Sequence, residues 1–96
     1  VSYLPIPPAS VDVDRVEERP RLVYVVRVLQ LDFERSVTRS LDESVDGRVT
    51  LRMDDRAFPN RAIRTDSYRA TVIVRVQSFD GTRTIYRYNA TVPVRR

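Results

Sequence analysis

The sequence contains no cysteine, no histidine and no lysine, and only two glycines among its 96 residues. Without cysteine there is no disulfide framework, no thiolate metal site and no thiol nucleophile. Without histidine the commonest general base and the commonest transition-metal ligand are both missing. With Gly47 and Gly81 alone, no glycine-rich loop can cradle a phosphate. The longest apolar run, Leu22 to Val26, is far too short for the roughly 20 residues of a membrane-spanning helix. No signal segment is visible, and the start at Val1 reads as that of a processed product whose leader, if any, has been removed.

Carboxylates are the chemistry that remains. Asp12 with Asp14, Asp54 with Asp55, and the cluster Asp42, Glu43 and Asp46 are the candidate pairs. A hard-cation site needs six or more oxygens in a shaped loop, and no calcium-loop spacing is present. These acids read as solvated charges. The expectation is a protein that is not an enzyme, with no cofactor, no metal and no small-molecule substrate.

What the chain does have is valine, tyrosine, threonine and isoleucine, the residues that suit a pleated, half-buried surface. A hydrophobic fraction of 42% with 31% charged residues is ordinary globular composition. At this length one domain is expected. The fold class predicted is all-β: a small antiparallel β-sandwich or open barrel of five to six strands with an extended Pro-rich N-terminal arm. Residues 1–19 are read as arm and edge strand, and 20–96 as the antiparallel β domain.

Pro5, Pro7 and Pro8 predict an extended, polyproline-like start, either a floppy tail or an arm docked on its own domain or on a neighbour. Val11 and Val13 alternating with Asp12 and Asp14 suggest a short edge strand. Leu22 to Phe33 is the strongest core candidate, apolar on both faces in its first half and alternating through Leu29, Leu31 and Phe33 in its second. Residues 36–47 are read as a loop with at most one helical turn, since Ser40 and Glu43 match a capping box; a strand fits Val37, Leu41 and Val45 as well. Asp46-Gly47 leads into a strand over Arg48 to Met53, and 54–66 is a long connection.

The last thirty residues form the clearest pattern. Tyr68, Ala70, Val72, Val74 and Val76 share one face of a strand, and Tyr86, Tyr88, Ala90, Val92 and Val94 share one face of the next. A two-residue Asp80-Gly81 turn would oppose valines to Arg87 and Asn89. A three-residue loop with Gly81 as a left-handed bulge pairs Ser78 with Thr82 instead, and matches Val74 with Tyr86, Val72 with Tyr88, Ala70 with Ala90 and Tyr68 with Val92. The second register is predicted because it makes both apolar faces coincide.

Charge is uneven. Residues 1–47 carry six arginines against nine acids, and residues 48–96 carry eleven against four. Arg69, Arg75, Arg83, Arg87 and Arg95 are predicted to form a basic face opposite the valines. A one-sign sheet face repels itself unless something negative compensates it. The leading expectation is a structural subunit, a viral coat or decoration protein or a surface-filament subunit, that self-assembles through an arm comprising Tyr3, Leu4, Pro5, Ile6, Asp12, Asp14, Glu17 and Glu18. Its partners are then copies of itself or related subunits, in an extracellular or virion setting. The alternatives are a nucleic-acid-binding domain using the arginine face, and a monomeric interaction module of a secreted or envelope protein. Asn89-Ala90-Thr91 also matches a glycosylation acceptor, with Asn89 facing outward.

Overall fold

A computed structural model describes residues 1–13, 20–41 and 47–95. It is all-β, an open sandwich of antiparallel sheets without barrel closure. The described residues hold eight strands: β1 (Ser2–Leu4), β2 (Ala9–Val13), β3 (Arg21–Val28), β4 (Phe33–Ser40), β5 (Gly47–Leu51), β6 (Arg56–Phe58), β7 (Ser67–Ser78) and β8 (Gly81–Pro93). One layer is a four-stranded sheet in the order β4-β3-β7-β8. The other is built from two short pairs, β1 with β6 and β2 with β5.

The two short pairs are halves of one interrupted ribbon. Partner numbers add to 60 in both, from Ser2 opposite Phe58 to Val13 opposite Gly47. Between them Pro5, Pro7 and Pro8 remove backbone donors, so the ladder cannot continue. The break also turns the ribbon over. Even residues Ser2 and Leu4 point inward before it, and odd residues Ala9 and Val13 point inward after it. The opposing strand turns in step, with Val49 and Leu51 buried in β5 and Phe58 the partly buried residue of β6.

The N-terminal arm is therefore docked on its own domain. Leu4 is 1% exposed, and Leu4, Ile6, Ala9 and Val13 belong to the same core cluster as Leu22, Tyr24, Val26, Val72 and Val74. Three tyrosines of the large sheet hold it. The Tyr24 hydroxyl donates to the Pro7 carbonyl, Tyr88 to the Pro8 carbonyl at 2.6 Å and Tyr86 to the Ser10 carbonyl at 2.9 Å. The Ser10 N–H donates back to the Tyr86 hydroxyl at 3.1 Å. The Pro7 and Pro8 carbonyls, outside any ladder, and the Ser10 carbonyl, which points away from β5, are thus satisfied by side chains. At the arm's start, Tyr3 and Arg95 exchange backbone hydrogen bonds of 2.7 and 2.9 Å, which ties β1 to the chain just past β8.

Several sequence expectations change. Leu22 to Phe33 is not one run. The strand stops at Val28, a 3-10 turn covers Leu29–Leu31, and Asp32 takes a left-handed φ of 50° before β4 begins. Aspartate tolerates that conformation through local hydrogen bonding. Residues 36–40 are strand rather than loop, while Asp42 to Asp46, including the expected capping-box Glu43, lie outside the described residues. The connection 54–66 contains β6 and a short 3-10 turn, Asn60–Ala62.

The terminal hairpin keeps its expected apolar pairing: Val74 with Tyr86, Val72 with Tyr88, Ala70 with Ala90 and Tyr68 with Val92. Its irregularity lies elsewhere. Phe79-Asp80 is the two-residue turn, Ser78 opposes Gly81, and the extra residue is Ile85, between the Arg75–Thr84 and Val74–Tyr86 pairs. Gly81 still matters, because its φ of +132° suits a residue without Cβ.

Burial, and then the neighbouring Tyr88 and Tyr86, push the Tyr24 hydroxyl well above the ordinary tyrosine range; burial and Tyr86 raise Tyr88 too. The folded state thus favours the protonated donors. Their contribution is complete below about pH 10, the ordinary tyrosine value, and is lost as pH rises through the higher folded values. The urea midpoint of the wild type is expected to fall with pH above about 10, more steeply than that of a Tyr24→Phe/Tyr88→Phe variant; equal slopes would contradict the raised values. At neutral pH, Tyr24→Phe leaves the Pro7 carbonyl short of a donor and is expected to cost about 1–3 kcal/mol, against about 1 kcal/mol for the more exposed Tyr88→Phe. Urea unfolding of each variant measures both.

Candidate interaction face

Pairing partners in an antiparallel sheet share a face, so the register of the four-stranded sheet defines its outer surface. Across it run the rows Thr38–Val23–Arg75–Thr84, Ser36–Val25–Ile73–Arg87 and Glu34–Arg27–Thr71–Asn89. Arg21 continues the face at one end beside Ser40 and Gln77, and Arg69 at the other beside Thr91. Its five arginines against the single Glu34 leave a net charge of +4. Every other polar position named in these rows is Ser, Thr, Asn or Gln.

The centre of this face is apolar. Val25 and Ile73 are only 5% and 3% exposed, yet both fall outside the main core cluster. Arg27 and Arg75, beside them, are half-buried. Arginine stems can lie along apolar surface while their charged ends stay in water. Arg27 Nε pairs with Glu34 Oε1 at 2.8 Å, an exposed contact that contributes little to stability. At the Arg69 end, a small cleft is bounded by Leu29, Gln30, Arg69 and Thr71, and Leu29 itself is 85% exposed.

Of the arginines expected on one face, Arg69, Arg75 and Arg87 are there, and two are not. Arg83 opposes Val76, which carries it to the inward side, where it lines a groove with Val11, Val13, Leu22 and Ile85. The reason is the position of the bulge: Ile85 changes which alternate residues of β8 face outward. Arg95 lies past the end of β8, its backbone bonded to Tyr3 and its guanidinium 3.7 Å from Asp55. Sequence reasoning missed Arg21 and Arg27. They alternate with Leu22, Tyr24 and Val26, but Val23 and Val25 share their parity and concealed the polar side of that strand.

The arm residues are also placed. Leu4 and Ile6 are buried and Pro5 is half-buried, whereas Tyr3 is exposed. Asp12 pairs at 3.3 Å with Arg48 of its own chain. Asp14, Glu17 and Glu18 lie outside the described residues. Asn89 is exposed on the outer face, where its side-chain carbonyl accepts from the Thr71 hydroxyl at 2.9 Å. Among the described residues no three Asp or Glu side chains gather where a metal ion could be held, and no helix is long and apolar enough to cross a membrane.

No family model, curated protein or solved structure matches this chain.

If the outer arginines are solvated while Ile73 is structural, their substitutions separate in stability. Arg87→Ala is expected to stay within about 0.5 kcal/mol of the wild type, and Ile73→Ala to cost about 2 kcal/mol. Urea midpoints decide, and the opposite order would place Arg87, not Ile73, at the structural centre of the face.

Proposed function

We propose that this chain is a non-enzymatic β-sandwich module that binds an acidic protein partner through the outer face of its four-stranded sheet. The observation that carries this reading is the arrangement of Arg21, Arg27, Arg69, Arg75 and Arg87 around Val25 and Ile73, with Glu34 the only acid in the rows. Val25 and Ile73 are themselves buried, so the face offers mainly its arginines, and that positive charge suits a protein surface that offers carboxylates. Arginine's planar fork favours bidentate carboxylate contacts there.

A nucleic-acid ligand fits less well. Single-strand binding relies on aromatic rings presented to bases, and the outer rows contain none. Tyr86 and Tyr88 lie on the opposite side, with their hydroxyls engaged by the arm. Assembly by a free arm also fits less well, because Leu4, Ile6, Ala9 and Val13 of the arm are buried in their own domain.

The test uses polyglutamate and single-stranded DNA as probes, at low and high salt. Binding of the full chain to polyglutamate is expected to weaken with salt. Arg69→Glu/Arg87→Glu is expected to reduce it by about tenfold or more. Arg61→Glu/Arg64→Glu changes the net charge equally but lies in the β6–β7 connection, and it should have a much smaller effect. Equal losses from the two pairs would reduce the effect to net charge alone. Tighter binding to DNA, lost with Arg69 and Arg87, would replace the protein partner by a nucleic acid.

A further inference from the structure

The arm, at the start of the chain, is joined to the rest of the domain through a single covalent link. Among the described residues, the ladder and hydrogen-bond partners of residues 1–13 lie at or beyond residue 24. These are β5 and β6 through the ladders, Tyr24, Tyr86 and Tyr88 through their hydroxyls, Arg95 through its backbone, and Asn60, whose side-chain oxygen accepts from the Ser2 hydroxyl at 2.7 Å. Only residues 14–19 join the arm to the strand that follows. None of these contacts depends on which copy supplies the arm. The seat beneath it is a strand-accepting groove whose fitting occupant is residues 1–13 of this same sequence.

We infer that this groove also accepts the arm of a second copy, so that two chains can exchange arms reciprocally and form a dimer with the contacts of the closed monomer. The occupant is argued from the groove itself. Its backbone groups pair with the arm in one register, and its three tyrosine hydroxyls meet carbonyls spaced as Pro7, Pro8 and Ser10 present them. Prolines keep a displaced arm extended, which lowers the ordering cost of its return. Closed and exchanged forms differ mainly in linkage. A short linker gives the chain's own arm an effective concentration of order millimolar. Dilute protein is therefore monomeric, and exchange competes when chains fold at comparable concentration. This inference concerns a surface separate from the arginine face and is independent of it.

The other free edges argue for the arm rather than for simple strand addition. Arg35 and Arg39 on edge strand β4 oppose Val26 and Leu22, so they stand on the inward face at the rim of the sandwich. Inward-facing charges at an edge discourage another chain from pairing there.

The absence of native cysteine gives a direct test. Ser10 sends its N–H and C=O to Tyr86, away from β5, so Ser10 and Thr50 form a non-hydrogen-bonded pair, with Cα atoms about 4.5 Å apart in such geometry. Tyr3 and Ala57 form a second such pair, because Tyr3 bonds Arg95 instead. All four residues are exposed, and the spacing suits a disulfide. Full-length Ser10→Cys/Thr50→Cys and Tyr3→Cys/Ala57→Cys variants are each refolded at micromolar and at about millimolar concentration, oxidised, and separated by non-reducing electrophoresis. The variant that keeps the wild-type urea midpoint is the one read. Intrachain bonds are expected from dilute refolding, and covalent dimers should become a major species from concentrated refolding. Intrachain bonds alone at every concentration would overturn the inference. So would a dimer seen by light scattering in which all these bonds are intrachain, since its interface would lie elsewhere.

Discussion

Three tyrosine hydroxyls donating to the carbonyls of Pro7, Pro8 and Ser10 are the constraint on which this sandwich depends. A proline-rich segment cannot complete a ladder, so carbonyls along it take other donors. Tyr24, Tyr86 and Tyr88 provide them from the inner face of the large sheet. Once they do, the ribbon of β1, β2, β5 and β6 has a fixed seat, and Leu4, Ile6, Ala9 and Val13 complete the core. Without that clasp the large sheet would leave Tyr24, Val26, Val72 and Val74 uncovered on one side. The arm is thus part of the second layer.

With one face of the sheet committed to the arm, the other carries the charge. Alternation puts Tyr68, Ala70, Val72 and Val74 inward and Arg69, Thr71, Ile73 and Arg75 outward. The basic excess of residues 48–96 is therefore partly displayed on one surface, with Arg21 and Arg27 joining from β3. Arg83 leaves that surface because one extra residue, Ile85, resets the alternation of β8. A single bulge decides which of two sides an arginine serves.

Legibility in the sequence followed the strength of the period. The terminal hairpin was readable because five apolar residues on each strand can meet in only one parity. The bulge position was not, since Gly81 and Ile85 both allow the same pairing from Val74 onward. The β3–β4 turn was hidden because Leu29, Leu31 and Phe33 imitate a strand; the break lies in the left-handed backbone at Asp32. The arm's composition announced an extended segment, but its seat depends on contacts more than seventy residues away, such as Ser10 with Tyr86. No local pattern encodes those. The arginine face was half legible for a related reason: Val23 and Val25 make β3 apolar on both sides.

The central claim is that the N-terminal arm is an integral strand of its own domain. Native-state amide hydrogen exchange tests it directly. The Tyr3 and Ser10 amides, bonded to Arg95 and to the Tyr86 hydroxyl, should be protected together with those of Val25 and Val72 in the central strands, and should lose protection in one cooperative step with them. Arm amides exchanging at the rate of an unstructured peptide, while Val25 and Val72 remain protected, would contradict the account.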